Sequence, residues 1–372
     1  MSDLTSHGPL APARRAMVLA ALQRDGIVRI SQLDQELGVT AVTLRRDLAH
    51  MEDEGLLVRV HGGAVPVDAS ARPAPSAPTD QPTTEGTLAV LVPSLNYYWP
   101  GVIRGMETEA RRHGMRLLLR GASYELQDER PVLELLVRDE NLQGLIVAPN
   151  TDTAHAQDVI QWLAHCGTPS LLVERDAVVL PGHDPVEGVR TDHAFGASLA
   201  ARHLASLGHR KVGLILSRFS PTSRKIAEGW RRVTAELGLE TPGGLNTLLP
   251  DRGSPDFSDA VNAALDIALR AGVTGLLVHS DPEAMAFIDL ALNRGISVPG
   301  DLSVVAYDDE VAQLFTPALT AVSPPRRAVG EAAVDLLMKR IADPERPVHR
   351  IMLSPRLEVR ASTAEFPQKI GE

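Results

Sequence analysis

The sequence predicts an α/β protein: a small head of three helices and a hairpin, followed by two doubly wound parallel-sheet subdomains. Three observations carry that expectation. From residue 87 onward short apolar runs alternate with amphipathic stretches, which argues for parallel sheets with helices on both faces. A chain of 372 residues exceeds the size at which one core keeps growing, and seven strand candidates fit two sheets better than one. Residues 66–86, PVDASARPAPSAPTDQPTTEG, hold five prolines and no hydrophobic periodicity, so they read as a semi-extended linker.

The head comes first. From Arg14, RRAMVLAALQRDG has apolar residues at helical spacing and stops at Gly26. VRI is a short extended piece. Ser31 is placed to cap QLDQELG, with Gly38 as the turn, and a third helix runs from about Thr40 to Glu54. LLVRV and AV then form a hairpin around HGG. In the body, strands are expected at 88–93, 116–121, 144–149, 169–174, 211–216, 275–280 and 302–308, with helices such as VIRGMETEARRHG and HAFGASLAARHLASLG between them. Ligands of such sheets bind at the carboxyl ends of the strands.

The third head helix carries the chemistry. Leu44, Leu48 and Met51 form its buried stripe at i, i+4 and i+7. Thr43, Arg46 and His50 share the outer face, and Arg45 lies about 100° round from Arg46. Both arginines sit in the first half, while Glu52, Asp53 and Glu54 crowd the C-terminal end. A helix entering the major groove by its N-terminal end wants that distribution, with Thr40 and Thr43 facing bases or phosphates. Arg59 and His61 beside Gly62 and Gly63 make a basic turn able to touch phosphate or the minor groove. Residues 14–65 hold seven arginines against seven acids, so DNA binding must rest on where the charges sit.

RISQLDQELGVTAVTLRRDLAHMEDEGLLVRVHGGA resembles the winged helix–turn–helix of DeoR-type transcriptional regulators, through TLRRDL and RVHGGA at the expected separation. The resemblance implies operator recognition by Thr40, Thr43, Arg45 and Arg46, with the wing at His61–Gly63. The body is similar to something else. LAVLVPSLNYYWPGVIRGMETEARRHG, SLGHRKVGLI, ISVPGDLSVVAYDDE and TPALTAV resemble the periplasmic-binding-protein-like sensor of LacI-type repressors.

The resemblances divide the chain into a DNA-binding domain (1–65), the linker (66–86), an effector-binding domain (87–361) and a tail (362–372). They imply that 87–190 and about 321–350 form one half of the sensor, and that the linker replaces the hinge helix of LacI-type chains. Effector contacts are expected from Tyr98 and Trp99 after the first strand, since sugar clefts need aromatic faces. Asp281 and Asp308 at strand ends match the family's effector-contacting acids, with Asp192 as a further candidate or a helix N-cap. The family's clamping arginine falls at Ile226, which leaves Arg224 as its candidate replacement.

Composition bounds the rest. A formal net charge of -10 argues against a nonspecific polyanion binder. A single cysteine, Cys166, excludes an internal disulfide and a cysteine-based metal cluster. No signal-peptide core and no apolar run long enough to span a membrane is found, so a cytoplasmic location is expected. Enzyme readings fail on spacing: GASLA lacks the second glycine of a nucleophile elbow, and no P-loop or G-x-G-x-x-G is present. No metal and no cofactor is expected. The sequence reads as a homodimeric repressor of carbohydrate genes that binds operator DNA and a small effector, most simply a sugar. A nucleoside-like effector or an activating role is the alternative.

Overall fold

In a computed structural model, residues 86–366 are described except 122–127, 140, 152 and 243–245. Before them the described residues are 14, 15, 17–19, 21, 22, 28, 29, 33, 39, 43, 44, 46–48, 51, 56–60 and 63–66. The chain divides into two compact units, Met1–Gln81 and Pro82–Glu372. The expected linker lies almost wholly outside the described residues, between Pro66 and Gly86.

In the first unit the described helical residues between 14 and 22 and between 43 and 51 bury Val18, Leu22, Leu44, Leu48 and Met51 in one core with Leu57 and Ala64. The predicted stripe is therefore the packed face. Three strands, β1 (Val28–Arg29), β2 (Leu57–Val60) and β3 (Gly63–Pro66), form an antiparallel sheet in the order β1-β3-β2. The hairpin was expected. Its third strand was read only as a short extended piece, yet Val28 stands opposite Ala64 and ties the hairpin to the helices.

The second unit is two lobes. The first uses β4 (Gly86–Val92), α1 (Trp99–Arg112), β5 (Met115–Gly121), α2 (Arg130–Leu136), β6 (Leu142–Val147), α3 (Ala156–His165), β7 (Ser170–Val173), a small β8 (Val178–Val179) and β9 (Asp184–Pro185) pair, and β10 (Gly188–Thr191). The second follows with α4 (His193–Ser206), β11 (Val212–Ser217), α5 (Thr222–Glu236), β12 (Asn246–Leu249), α6 (Phe257–Arg270), β13 (Gly275–Val278), α7 (Asp281–Asn293), β14 (Ser303–Tyr307) and β15 (Thr320–Ser323). The chain then returns to the first lobe with α8 (Arg326–Ala342) and β16 (Arg350–Leu353), and ends in the second with β17 (Arg356–Glu358). The sheets run β16-β10-β7-β6-β4-β5 and β12-β11-β13-β14-β15-β17, all parallel except β17.

Two boundaries differ from expectation. The returning segment begins after Ser323 rather than at 321, because β15 pairs in parallel with β14, Ala321 opposite Ala306. The tail begins later than 362. Ser362 is fully buried, its hydroxyl donates to Val304 O at 2.6 Å, and Phe366 N–H reaches Leu207 O.

Fully buried strands such as β4 and β14 explain the apolar runs, since both faces are covered by helices. Helix α1 carries a proline, Pro100, in its first turn and buries Val102, Gly105, Met106 and Ala110, one face at helical spacing. It crosses α8 at two glycines. A Cβ on Gly105 would collide with Arg327 O, and one on Gly330 with Val102 O, so this crossing excludes any larger residue at either position. Among the described residues no helix is long and apolar enough to cross a membrane.

Candidate functional site

A cavity of about 330 Å³ lies between the two lobes, within the size range of small-molecule sites. It is lined by segments that follow strand ends: Tyr97–Trp99 after β4 and Glu174 and Arg175 after β7 of the first lobe, with His193 at the crossing just past β10. From the second lobe come Phe219–Thr222 after β11, Asp251 and Arg252 after β12, His279 and Ser280 after β13, and Asp308 after β14. The carboxyl-end rule for parallel sheets thus holds for both lobes at once.

The first-lobe wall is built on Glu174, which is 5% exposed. Tyr98 Oη donates to its Oε1 at 2.5 Å, Thr191 Oγ1 donates to the same oxygen at 2.7 Å, and Thr191 N–H donates to Oε2 at 3.0 Å. His193 Nε2 lies 3.4 Å from Oε2. Burial pushes this carboxyl up, but the hydrogen bond and charge of His193, with the Thr191 and Tyr98 donors, outweigh burial and hold it at about 2. The chain of contacts continues into the second lobe, where His193 Nδ1 sits 3.1 Å from Tyr307 Oη. Tyr98 and Trp99 meet edge to face with centroids 5.8 Å apart. Arg175 lies 5.9 Å from the Trp99 ring centroid and donates to Pro149 O at 2.9 Å.

The second-lobe wall is different. Asp308 takes a left-handed backbone, φ 94°, and its carboxyl is pushed well above the ordinary range by burial and then by Asp281. His279 is pushed down to about 3, by burial and then by His193. Contacts also run between lobes. Asp281 N–H donates to Tyr97 Oη at 3.3 Å, and Arg326 donates to the carbonyls of Asp308 and Asp309 while pairing with Glu310 at 2.9 Å.

The structure brings together Tyr98, Trp99 and Asp308 of the residues expected to meet an effector. The other three need correction. Asp281 is fully buried behind the wall, where it accepts from the N–H groups of Asp309, Glu310 and Val311 at 3.1, 2.7 and 3.0 Å. Its carboxylate shapes the loop that presents Asp308. Asp192 caps α4, accepting from Phe195 N–H at 2.9 Å, and is not part of the lining. Arg224 is an exposed residue of the first turn of α5 and does not line the cavity either. Ser223, Ile226 and Trp230 face the core from that helix, which turns Arg224 outward. Ile226 is fully buried, so the expected clamp position carries an apolar core residue.

Sequence reasoning missed Tyr97, Glu174, Arg175, His193, Phe219 and His279. The strand-end rule applied to Asp308 could have found Glu174 and His279, which directly follow β7 and β13. Nothing in the sequence signals the left-handed φ of 58° that turns Tyr97 into the cleft.

In the N-terminal unit, Arg46 is exposed and Thr43 half-buried on the helix whose other face packs the core. Asp47 on the same helix accepts from Arg14 Nε at 2.7 Å. Arg59 lies in β2 and Gly63 opens β3, while Thr40, Arg45, His61 and Gly62 lie outside the described residues.

Comparisons with known proteins follow this division. Residues 14–69 match the DeoR-like helix-turn-helix domain, and 201–363 match the periplasmic binding protein-like domain. The HTH-type transcriptional regulator MalR of Streptomyces coelicolor is 31% identical over 296 residues, 77% of this chain and 83% of that one. The arabinose metabolism transcriptional repressor of Geobacillus stearothermophilus is 28% identical and covers 87% of each chain. Among solved structures, a LacI family transcriptional regulator from Enterococcus faecium with bound ribose is similar with a TM-score of 0.62. It is 27% identical, and the match covers 76% of this chain and all of that one. A DeoR-like helix–turn–helix domain, a two-lobed body with a cleft at the strand ends and these relatives agree: the chain belongs to the LacI-type family of HTH-type transcriptional regulators.

Proposed function

We propose that the chain is a repressor of carbohydrate-utilisation genes whose hold on operator DNA changes when a small molecule occupies the interlobe cleft. The observation that carries this is the cavity at both sets of strand ends, walled by Tyr97, Tyr98, Trp99 and Phe219 and set with polar groups. Aromatic faces suit the C–H surfaces of a sugar, and the polar groups suit its hydroxyls. Ribose, bound in the Enterococcus faecium relative, and arabinose, whose metabolism the Geobacillus stearothermophilus relative represses, are compatible with a cavity of this size. The winged DeoR-type head binds operator DNA through Thr40, Thr43, Arg45 and Arg46, with Arg59 and His61–Gly63 as the wing. The protein works in the cytoplasm as a homodimer without metal or cofactor, which pairs two heads on repeated half-sites. A planar nucleoside-like effector is the second reading, favoured by Phe219, which lines the cleft while 63% exposed.

The test uses DNA that the protein itself selects from a random library. Arg46→Ala should weaken binding about 10- to 100-fold and lower the salt dependence by about one ion. The same variant should keep the rise in unfolding midpoint that a cleft ligand gives the wild type. Loss of both properties would mean that the substitution unfolds the head, and unchanged DNA affinity would remove Arg46 from the interface.

A further inference from the structure

His279 and Asp308 follow neighbouring strands, β13 and β14, which pair in parallel with Val278 opposite Ala306. Residues just past the two strand ends are therefore brought side by side. His279 Nε2 stands 3.8 Å from Asp308 Oδ2, just beyond hydrogen-bond reach. Their side chains are only 6% and 7% exposed, and both residues line the cavity. Among the described residues, no hydrogen bond reaches the Asp308 carboxyl or either nitrogen of His279, and Nδ1 is wholly buried. Buried polar groups are nearly always partnered, because taking them out of water without a new partner is costly. Packing accounts for the ring but not for its nitrogens: its edge-on contact with Tyr307, centroids 5.5 Å apart, would suit a phenylalanine equally.

We propose that His279 and Asp308 together hold one uncharged hydroxyl of the cleft ligand, which donates to one and accepts from the other, so that His279 is a specificity-determining residue. This rests on the reading of the cleft as the small-molecule site. Burial favours the neutral form of both groups, the imidazole being pushed down and the carboxyl up. A neutral imidazole accepts through one nitrogen, and a protonated carboxyl donates. A hydroxyl can satisfy both at once. An ammonium or a phosphate placed there would meet no opposite charge from this pair. Glu174 cannot substitute for the pair, because Tyr98 and Thr191 already supply three donors to its carboxylate and His193 lies beside it.

Two measurements on the full-length protein test the proposal. In histidine-15N NMR without ligand, the resonance lost in His279→Leu should report a neutral imidazole at pH 7 and at pH 6; a protonated ring overturns the proposal. Thermal unfolding is then followed with D-ribose, L-arabinose, maltose, D-glucose, D-glucosamine and glucose 6-phosphate. His279→Leu should keep or raise the unliganded midpoint, since it replaces partnerless polar atoms with an apolar group. It should also weaken whichever neutral sugar stabilises the wild type, by about 10- to 100-fold. His279→Gln, which still accepts and donates, should recover most of that loss. Undiminished affinity in His279→Leu, or a preference for glucosamine or the phosphate over glucose, overturns the proposal and leaves the cleft reading standing. No midpoint shift of the wild type with any of these probes overturns both.

Discussion

The two walls of the cleft solve the problem of a buried acid in opposite ways. On the first lobe Glu174 is ionised and fully engaged, with a tyrosine, a threonine side chain and a backbone N–H donating to it. On the second lobe the Asp308 carboxyl is pushed well above the ordinary range by burial and by Asp281, and no hydrogen bond reaches it among the described residues. Equal burial thus gives different outcomes, because donors decide which protonation state a buried carboxyl keeps. The contrast teaches a division of labour. The Glu174 wall is a finished part of the fold, whereas the Asp308 carboxyl lines the cavity with its hydrogen-bonding capacity unused among the described residues.

Substitutions can break or sharpen that contrast. The largest effect is expected from Glu174→Leu, which strands the Tyr98 hydroxyl, Thr191 and His193; it should cost about 3–5 kcal/mol in urea unfolding at pH 7. Asp281→Ala should cost about 1–3 kcal/mol, since three backbone N–H groups lose their acceptor, and should weaken ligand binding only through the Asp308 loop. A Kd that rises out of proportion to the loss of stability would instead place Asp281 in the cleft.

The pH dependence has opposite signs on the two walls. Glu174 lies below its ordinary 4.5, at about 2, so its contribution of about 3 kcal/mol is present above pH 4.5 and disappears as pH falls toward 2. The deficit of Glu174→Gln should shrink over that window. Asp308 is shifted upward, so the wild type loses stability as pH climbs above 3.8, and Asp308→Asn should gain on it in that direction. Parallel pH profiles for the two variants would remove the distinction. Smallest of all, Arg224→Ala should change stability by less than about 0.5 kcal/mol and leave ligand binding alone.

The alternation of apolar runs and amphipathic helices made the two parallel sheets legible, because strands buried on both faces leave no other pattern. The late strands were harder to read. The apolar core of β15 is short, and β16 alternates exposed and half-buried residues, so neither stood out as a run. In the site, the rule that function gathers at strand ends located Asp308. It could not separate Asp308 from Asp281, although both follow parallel strands. One side chain turns to the cavity and the other to a neighbouring loop, and that choice depends on backbone angles and donors supplied 28 to 30 residues away. Helix periodicity should have removed Arg224, since Ile226 and Trp230 already define the inner face of α5.

Because the chain crosses between lobes after Thr191, Ser323 and Leu353, the first lobe receives its last helix and edge strand only from residues 326–353. During synthesis from the N-terminus, the second-lobe strands β11 to β15 emerge before the first lobe can close. Until α8 arrives, α1 exposes the glycine-bearing face that α8 will cover, and β10 remains an open edge. The earlier-begun lobe therefore stays incomplete until nearly all of the second has been made. A growing chain must keep that surface from other partners until nearly all of the protein has left the ribosome.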